Sequence, residues 1–340
     1  MALQEPLILW FGDIGIADVP SVGGKNASLG EMYCHLNSEG ITVPNGFATT
    51  AAAYRFFLAE TGLDQQIREI LQDLDTADIT NLQQHGLEVR HAILSAEMPT
   101  ALQTEILQAY DRLGEALPGG IDVAVRSSAT AEDLPDASFA GQQESYLNVR
   151  GAAPLLETCR RCFASLFTDR AISYRTEKGF DHFDIALSIG IQRMVRSDLA
   201  ASGVMFSIDT ETGFKDAVLI NAAYGLGENI VQGSVNPDEF YVFKPTLKQG
   251  FQPILKKTLG SKEFKLIYDS GGGKMTRNVP VDPVDRKHFA ITDEEILTLS
   301  RWAMRIEEHY SSVQKRHCPM DIEWAKDGKT GELFIVQARP

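Results

Sequence analysis

Asp321 and Glu323 are two carboxylates separated by one residue near the C-terminal end of the sequence. They lie in a strand-like segment, residues 320–325, and side chains two positions apart on a strand share a face. Mg²⁺ prefers oxygen ligands, and proteins commonly hold it by one or two carboxylates together with substrate phosphates. The spacing therefore points to a divalent-cation site. The alternative is an exposed strand face that carries a solvated ion pair.

A second strand-like segment, Leu333–Arg339, follows a polar turn, and the two segments predict a β-hairpin. Gln337 and Arg339 share one face of this strand. A turn centred near Lys329 predicts that Asp321 lies opposite Gln337. The amide and the guanidinium would then lie beside the carboxylates, and a guanidinium fork suits the oxygens of a phosphate.

Gly23, Gly24 and Lys25 precede a helical pattern at residues 26–36. Glycines at this position let backbone amides approach an anion, and a lysine adds charge at the positive end of the helix. Because glycine before a helix is common, an ordinary helix start is the alternative. The chain contains neither the P-loop motif nor a complete dinucleotide-binding fingerprint.

Arg126 follows a strand-like segment, residues 122–125, and is predicted to end that strand. Hydroxyl side chains come directly after it, and residues 138–145 are small and polar around Gly141, so their backbone could close over a ligand. The alternative is a polar surface loop in which Arg126 pairs with an acidic neighbour. The candidates for that neighbour are Glu132, Asp133 and Asp136.

The chain has 340 residues, of which 44% are hydrophobic and 23% charged, and its formal net charge is −14. This is the composition of a globular protein with a large core. The acidic balance argues against nucleic-acid binding, which needs a basic excess. No segment approaches the ~20 apolar residues of a membrane span. No basic region precedes the apolar residues 7–11, so we expect a cytoplasmic protein without a signal peptide.

Four cysteines, Cys34, Cys159, Cys162 and Cys318, are too few for a disulfide scaffold in a chain of this length. Cys159 and Cys162 have the CxxC spacing that also occurs at zinc and redox sites. Because they fall within a helical pattern of apolar residues, we predict that both thiols face the core.

Apolar periodicity predicts a mixture of strands and helices along the chain. The predicted strands are residues 7–11, 122–125, 146–149, 186–195, 204–208, 217–221, 240–243, 320–325 and 333–339. The predicted helices include residues 26–36, about 64–115 throughout, and 155–175. Residues 245–290 resemble an insertion with edge hairpins, and Thr292 with Glu295 forms a capping box that opens a further helix. We expect an α+β fold with two lobes, about residues 1–185 and about residues 186–340.

Several longer motifs resemble a single protein family. They are VGGKNASLGEM (22–32), VRSSATAEDLP (125–135), SFAGQQE (138–144), FASLFTDRAISYR (163–175), AASGVMF (200–206), AAYGLGE (222–228) and QARP (337–340). In this order they resemble the N-terminal nucleotide-binding domain of phosphoenolpyruvate synthases (pyruvate, water dikinases), which are PEP-utilising dikinases. The resemblance covers essentially the whole chain. It implies an ATP-grasp fold, in which two α+β lobes clamp ATP.

The resemblance also assigns roles to individual positions. Lys25 and Arg126 match the family's cationic contacts to the ATP phosphates, and Gly141 and Ser145 lie in the loop that covers them. Together with Arg339, the two cations are expected to stabilise charge during phosphoryl transfer, which needs in-line geometry more than covalent help. Gln192, Met194 and Val195 match the segment that contacts adenine. Asp321 and Glu323 match the carboxylates that bind Mg²⁺ on the phosphate side. Gln337 and Arg339 match the polar pair beside these carboxylates.

The resemblance implies a place in phosphoenolpyruvate synthesis, in which ATP, pyruvate and water yield AMP, phosphoenolpyruvate and phosphate. In related enzymes the acceptor of the phosphoryl group is a histidine on a separate domain. None of the seven histidines here has that domain's Thr-Ser-His-Ala setting. We therefore expect the ATP-binding part alone, working with a phosphohistidine carrier domain and a PEP/pyruvate-binding domain in cis or in trans.

Two alternatives stay open at this point. Rifampin phosphotransferases share the domain more distantly, so the chain could be the ATP domain of such an enzyme. It could also be a non-catalytic module that binds adenine nucleotides. The presence of Asp321, Glu323 and Arg339 together argues against the second alternative, because a sensor does not need a full metal and transfer set.

Overall fold

The computed structural model describes residues 5–115, 120–130, 144–269 and 276–340, together with the backbone of Asp133–Leu134 and Ala137–Ser138. Helices and antiparallel sheets both contribute to it, which confirms the predicted α+β class. The chain divides into two compact units. The first comprises Met1–Cys34 and Asn45–Met194, and the second comprises His35–Pro44 and Val195–Pro340.

The first unit is built on an antiparallel sheet. Its strands are β1 (Ile8–Trp10), β2 (Gly46–Thr49), β3 (Asp122–Ala129), β4 (Asp133–Leu134), β5 (Ala137–Ser138), β6 (Ser145–Arg150) and β7 (Leu187–Arg193). Its helices are α1 (Val19–Leu36, which ends in the second unit), α2 (Ala51–Thr61), α3 (Leu63–Ile70), α4 (Ile79–Ser95), α5 (Thr100–Gly114), α6 (Ala152–Ser165) and α7 (Asp169–Lys178). Within the described residues the sheet has the strand order β1-β2-β7-β3-β6.

The boundary of the first unit follows from the pairing of strand β7. The expected division near residue 185 places this strand in the second lobe. In the structure β7 lies inside the first unit's sheet, where it pairs with β2 on one side and with β3 on the other. Since a central strand uses its backbone groups on both edges, β7 belongs to the first unit. The chain passes into the second unit after Met194.

The predicted continuous helix over residues 155–175 is interrupted, and α6 and α7 are separate helices. Thr168 is the N-cap of α7, because its side chain accepts a hydrogen bond from the Ala171 N–H at 3.3 Å. A new helix therefore starts here instead of a continuation of α6. Phe163 of α6 is fully buried and stacks on Phe57 of α2 with ring centroids 5.3 Å apart. Burying each such side chain contributes about 1.5–3 kcal/mol.

The CxxC pair faces the interior, as predicted. Cys159 and Cys162 of α6 are both fully buried. Burial raises the pKa of Cys159 to about 12 and also raises the pKa of Cys162. Because the thiolate is the reactive and metal-binding form, full burial and raised pKa values are what packing cysteines show.

The second unit is built on a larger antiparallel sheet. Its strands are β8 (Ala201–Phe206), β9 (Ala217–Tyr224), β10 (Asp238–Phe243), β11 (Ile254–Thr258), β12 (Phe264–Tyr268), β13 (Thr276–Pro280), β14 (Asp321–Lys326) and β15 (Leu333–Arg339), and its helices are α8 (Glu228–Val231), α9 (Lys244–Lys248) and α10 (Asp293–Gln314). In the part of the chain that the structure describes, the sheet order is β11-β10-β9-β8-β14-β15, and β12 pairs with β13 in a separate hairpin.

Helix α10 begins at the predicted capping box. The Glu295 N–H donates to Thr292 Oγ1 at 3.3 Å, and the Thr292 N–H donates to Glu295 Oε2 at 2.9 Å. Leu299, Ile306 and Tyr310 are fully buried where α10 packs against β9 and β10. The capping box therefore sets the start of the helix whose apolar face closes the core of this unit.

Short 3-10 helices complete the connections, at Phe11–Asp13, Ile16–Asp18, Asn37–Glu39, Ser197–Leu199 and Asp285–Lys287. Of the helices in the described ranges, none combines the length and the apolarity that crossing a membrane requires.

Arg175 is a fully buried guanidinium in α7 whose Nε donates to His182 Nδ1 at 3.0 Å. Its Cζ lies 5.2 Å from the centre of the Phe167 ring, which provides a cation–π contact. Burial, and to a smaller extent the positive charge of Arg175, together lower the pKa of His182 to about 4. The imidazole of His182 is therefore neutral near pH 7, and its Nδ1 can accept the hydrogen bond.

The His182 environment predicts a loss of stability in acid. Its folded-state pKa lies below the ~6.5 of an unfolded histidine, so protonation favours the unfolded chain. The contribution of His182 is fully present above about pH 6.5 and is lost as the pH falls towards its folded pKa. Relative to His182→Gln, we expect wild type to lose about 1 kcal/mol of unfolding free energy between pH 7 and pH 5, a value reduced for the partial exposure of the ring.

Urea unfolding of both proteins at the two pH values measures this difference. The control is His91→Gln, which changes an exposed histidine of α4 in the same unit. Parallel loss of stability in wild type and His182→Gln would show that His182 does not couple protonation to folding.

Candidate functional site

Three of the predicted site residues lie on one face of the first unit's sheet. Arg126 of β3 is paired with Ser145 of β6 and with Gly190 of β7. Side chains of directly paired residues project from the same face. Gln192 lies two positions beyond Gly190 and so shares that face. The sheet therefore brings Arg126, Ser145 and Gln192 together.

Helix α1 lies against the same face and brings Lys25 to it. A Cβ atom on Gly190 would be 2.2 Å from Oδ1 of Asn26, so the absence of a side chain at Gly190 is what admits α1. Asn26 Nδ2 donates to Ser188 Oγ at 2.9 Å, which attaches the helix to β7. Lys25 precedes Asn26 directly and is half-buried. Its position is therefore fixed by the packing of its neighbour.

Gly23 divides α1 into two helical segments. Its backbone is not helical, with φ 73° and ψ 165°, a conformation that glycine adopts without steric cost. A Cβ atom there would be 2.6 Å from the Ser128 carbonyl oxygen. The second segment thus begins directly after Gly23, and Lys25 lies in its first turn, as the glycine pattern predicted. The Asn26 N–H donates to Ser128 Oγ at 3.4 Å at this contact.

Arg126 does not end its strand, contrary to the prediction. Strand β3 continues to Ala129, because Ser127 and Ser128 are buried and pair with β7. Their hydroxyl groups are used within the protein, and Ser127 Oγ accepts from the Glu144 N–H at 3.0 Å. The guanidinium of Arg126 is therefore carried by a central strand, which holds it more rigidly than a loop would.

The rest of the predicted nucleotide contacts lie at the end of β7. The Met194 N–H donates to the Asp122 carbonyl at 3.0 Å, so this end is attached to the start of β3. Val195 is buried and is the first residue of the second unit's longer segment. Gly141 lies outside the described residues.

The C-terminal hairpin brings its four predicted residues together. Arg339 Nε donates to Asp321 Oδ2 at 3.0 Å, and Arg339 Nη2 forms an ion pair with the same oxygen at 3.0 Å. Gln337 Nε2 donates to Glu323 Oε1 at 3.1 Å. All four side chains lie on one face of β14 and β15, and each carboxylate has its own polar partner.

The register of this hairpin differs from the prediction. The paired residues are Asp321 with Arg339 and Glu323 with Gln337, whereas a turn centred on Lys329 predicts Asp321 opposite Gln337. The register shifts between Glu323 and Trp324 and leaves one extra residue in β15. The β-bulge accounts for one residue of this two-residue difference, because it adds one residue to a single strand. The turn accounts for the other, since pairs such as Ala325 with Phe334 centre it between Lys329 and Thr330 rather than on Lys329.

Asp321 and Glu323 suit a magnesium ion that also binds phosphate. Both side chains are half-buried, so the carboxylates are oriented yet accessible. Across the described ranges, no group of three or more His, Cys, Asp or Glu side chains is arranged to hold a metal ion by itself. Mg²⁺ typically takes one or two carboxylates and completes its six ligands with water and substrate phosphates. The donor set therefore fits Mg²⁺ that arrives with a phosphate ligand.

Comparison with known proteins assigns the family. The family described as "Pyruvate phosphate dikinase, AMP/ATP-binding domain" matches residues 19–340. The chain belongs to this family. The match includes Lys25 and both strands of the C-terminal hairpin, so the residues described above lie within the family's domain.

Proteins named phosphoenolpyruvate synthase are similar to the chain over nearly its whole length. The identity is 64% to the protein of Synechocystis, 55% to that of Aquifex aeolicus and 52% to that of Escherichia coli, each over 99% of this chain. The matched region makes up 42%, 39% and 42% of those proteins. The chain thus spans about two-fifths of the length of these relatives.

Sequence reasoning missed the residues that bring α1 to the sheet, namely Asn26, Ser128, Ser188 and Gly190. The signal for one of them was present, because Gly190 interrupts a strand-like run, and glycine inside a strand often marks close backbone approach. Nothing in the sequence indicates which segment approaches Gly190, since Asn26 and Gly190 are far apart along the chain.

The contact at Gly23 predicts an unusually costly substitution. Gly23→Ala would add a Cβ to a backbone conformation, φ 73° and ψ 165°, that is essentially restricted to glycine, at a cost of about 1–3 kcal/mol. It would also press that atom against the backbone of Ser128. The matched control is Gly151→Ala, where φ is 88° and ψ 160° but the atom nearest to the added Cβ, Pro154 Cδ, is 3.9 Å away. We expect Gly23→Ala to lose roughly 1–3 kcal/mol more unfolding free energy than Gly151→Ala, because overpacking costs about that much.

Urea unfolding of the two variants and wild type gives this difference. Equal losses in Gly23→Ala and Gly151→Ala would mean that α1 does not press on β3 at Gly23.

Proposed function

We propose that this chain binds Mg-ATP in an ATP-grasp fold and carries out the first half-reaction of phosphoenolpyruvate synthesis. The family to which it belongs is described as an AMP/ATP-binding domain, and its relatives are named phosphoenolpyruvate synthase. The observation that carries the proposal is the hairpin set of two carboxylates, one amide and one guanidinium. A sensor that only bound adenine would have no use for this set.

The first unit supplies the cationic and adenine contacts in this proposal. Lys25 and Arg126 bind the phosphates, since both are attached to one face of the sheet by α1 and β3. Gln192 and Met194 bind the adenine ring, and Gln192 is buried on the same face as Arg126. Ser145, which is paired with Arg126, lies in the segment that covers the phosphates.

The second unit supplies the metal ligands. Asp321 and Glu323 hold Mg²⁺, and when bound Mg²⁺ neutralises charge that develops on the phosphate oxygens. Gln337 and Arg339 fix the orientation of the two carboxylates through their hydrogen bonds. Arg339 also has nitrogens to offer a phosphate, because a guanidinium carries five N–H donors. Val195 completes the adenine contacts.

The acceptor of the phosphoryl group lies on another domain in this proposal. A histidine of a phosphocarrier domain receives one phosphoryl group, a second is transferred to water and leaves as phosphate, and the nucleotide leaves as AMP. The carrier then delivers its group to pyruvate on a further domain. The relatives have more than half of their length outside the matched region, which is enough for both domains. These partners act in cis or in trans.

The proposal predicts AMP and phosphohistidine when the chain is mixed with Mg-ATP and a separately produced phosphocarrier domain. Arg126→Ala should slow AMP formation roughly 10- to 100-fold, because a charge-assisted hydrogen bond contributes about 1.5–3 kcal/mol. Glu323→Gln should raise the Mg²⁺ concentration that half-maximal turnover requires. Chromatographic separation of AMP and ³²P labelling of the carrier measure both effects.

Two substitutions serve as matched controls. Arg193→Ala removes an exposed arginine from the opposite face of β7, and Glu332→Gln removes an exposed carboxylate beside the hairpin turn. Neither should change AMP formation. Unaltered ATP handling in both Arg126→Ala and Glu323→Gln would refute the assigned site. ATP binding without AMP would favour a binding module, and transfer to rifampin with the matching drug-binding domain would favour the antibiotic phosphotransferase.

A further inference from the structure

A buried ion pair in the second unit has no part in the site described so far. Lys244 begins α9 and Glu307 lies in α10, and their side chains are only 8% and 10% exposed. Lys244 Nζ pairs with Glu307 Oε2. Removing two charges from water is costly, and a buried pair often stabilises a fold no better than apolar residues of similar volume. Stability alone is therefore a weak explanation for this pair.

The ion pair is linked by hydrogen bonds to the start of the metal-binding strand. Lys244 Nζ also donates to the carbonyl oxygen of Ser207, at 2.5 Å, directly after β8. Ser207 in turn makes two hydrogen bonds with the backbone of Met320. Its Oγ accepts from the Met320 N–H at 2.8 Å, and its own N–H donates to the Met320 carbonyl at 3.0 Å. Met320 immediately precedes Asp321.

His317 ties the preceding segment to the same carboxylate. His317 Nε2 lies 2.7 Å from Glu307 Oε1, so the two oxygens of Glu307 contact different partners. One residue later, the Cys318 N–H donates to Ser311 Oγ of α10 at 3.0 Å. The segment that enters β14 is therefore attached to α10 by two side chains and to β8 by Ser207.

We propose that Lys244, Glu307 and His317, here called the ion-pair cluster, position the carboxylates of Asp321 and Glu323 for Mg²⁺. The inference rests on the proposed function of these two residues as metal ligands. Mg²⁺ requires near-ideal octahedral geometry. A small shift in the first residue of β14 therefore weakens Mg²⁺ binding more than it weakens nucleotide contacts elsewhere. The cluster acts through backbone hydrogen bonds and touches neither metal nor nucleotide.

The test separates positioning from stability by a paired substitution. Lys244→Met alone leaves Glu307 buried without its cation, and should unfold at lower temperature than wild type. Lys244→Met with Glu307→Met fills the same space with apolar atoms, and should recover thermal stability. The Mg²⁺ enhancement of ATP binding, defined as Kd in EDTA divided by Kd in excess MgCl₂, should stay about tenfold to 100-fold below that of wild type in the double variant.

The matched control lies on the same two helices. Lys248 of α9 and Glu308 of α10 form an exposed ion pair, with Nζ and Oε1 2.6 Å apart. Lys248→Met with Glu308→Met should leave both thermal stability and the Mg²⁺ enhancement unchanged. Calorimetric titration with ATP and thermal unfolding, both on the chain as it stands, give the two readouts.

The outcomes distinguish the inference from the function on which it rests. A stable double variant with the wild-type Mg²⁺ enhancement overturns the positioning role and leaves the proposed function intact. Wild-type protein that binds ATP equally well in EDTA and in MgCl₂ overturns the metal assignment of Asp321 and Glu323, and the positioning role with it. The double variant could also remain less stable than wild type and show a reduced Mg²⁺ enhancement. This result counts against the inference, because a packing defect alone would then explain the loss of stability and the loss of Mg²⁺ enhancement.

Discussion

Charged side chains that lose part or nearly all of their contact with water need partners, and in the second unit this requirement favours the pairs that form. Asp321 is paired with Arg339, Glu323 with Gln337, and Lys244 with Glu307. The bulge after Glu323 is essential to this arrangement. Without it, the register of residues 324–326 would continue along the strand, and Asp321 would lie opposite Ala338 and Glu323 opposite Val336. Neither of these apolar side chains could serve as a partner for a carboxylate.

In the first unit the corresponding constraint is steric. Helix α1 can approach the sheet closely because two residues at the contact have no side chain. They are Gly23 in the helix itself and Gly190 in β7. Asn26 then makes hydrogen bonds to β3 and β7. Lys25 is carried along with it, so its location follows from contacts made by its neighbours. Because the backbone at Lys25 is already fixed, only side-chain conformational entropy is left to lose when it binds an anion.

Local patterns in the sequence predicted elements well and their junctions less well. Alternation and capping rules placed β15 and the start of α10 correctly, because both depend on residues close together in the chain. The interruption between α6 and α7 was missed, since apolar periodicity continues through Thr168 while its cap breaks the helix. The hairpin register and the contact between Asn26 and Gly190 depend on a bulge and on residues distant in sequence. Neither follows from periodicity alone.

The proposed ligand is a polyanion, yet the chain carries a net charge of −14. At physiological ionic strength, charges more than about 8 Å away are largely screened, so the overall charge contributes little at the site. In the proposed site, Lys25 and Arg126 contact the phosphates directly, and they are carried by α1 and β3 rather than by solvent-exposed loops. The proposed Mg²⁺ offsets the remaining charge on the phosphates. Affinity for ATP in this proposal therefore depends on how firmly α1 and β14 are attached, which is why contacts remote from the ligand, such as those at Gly23 and Ser207, bear on its binding.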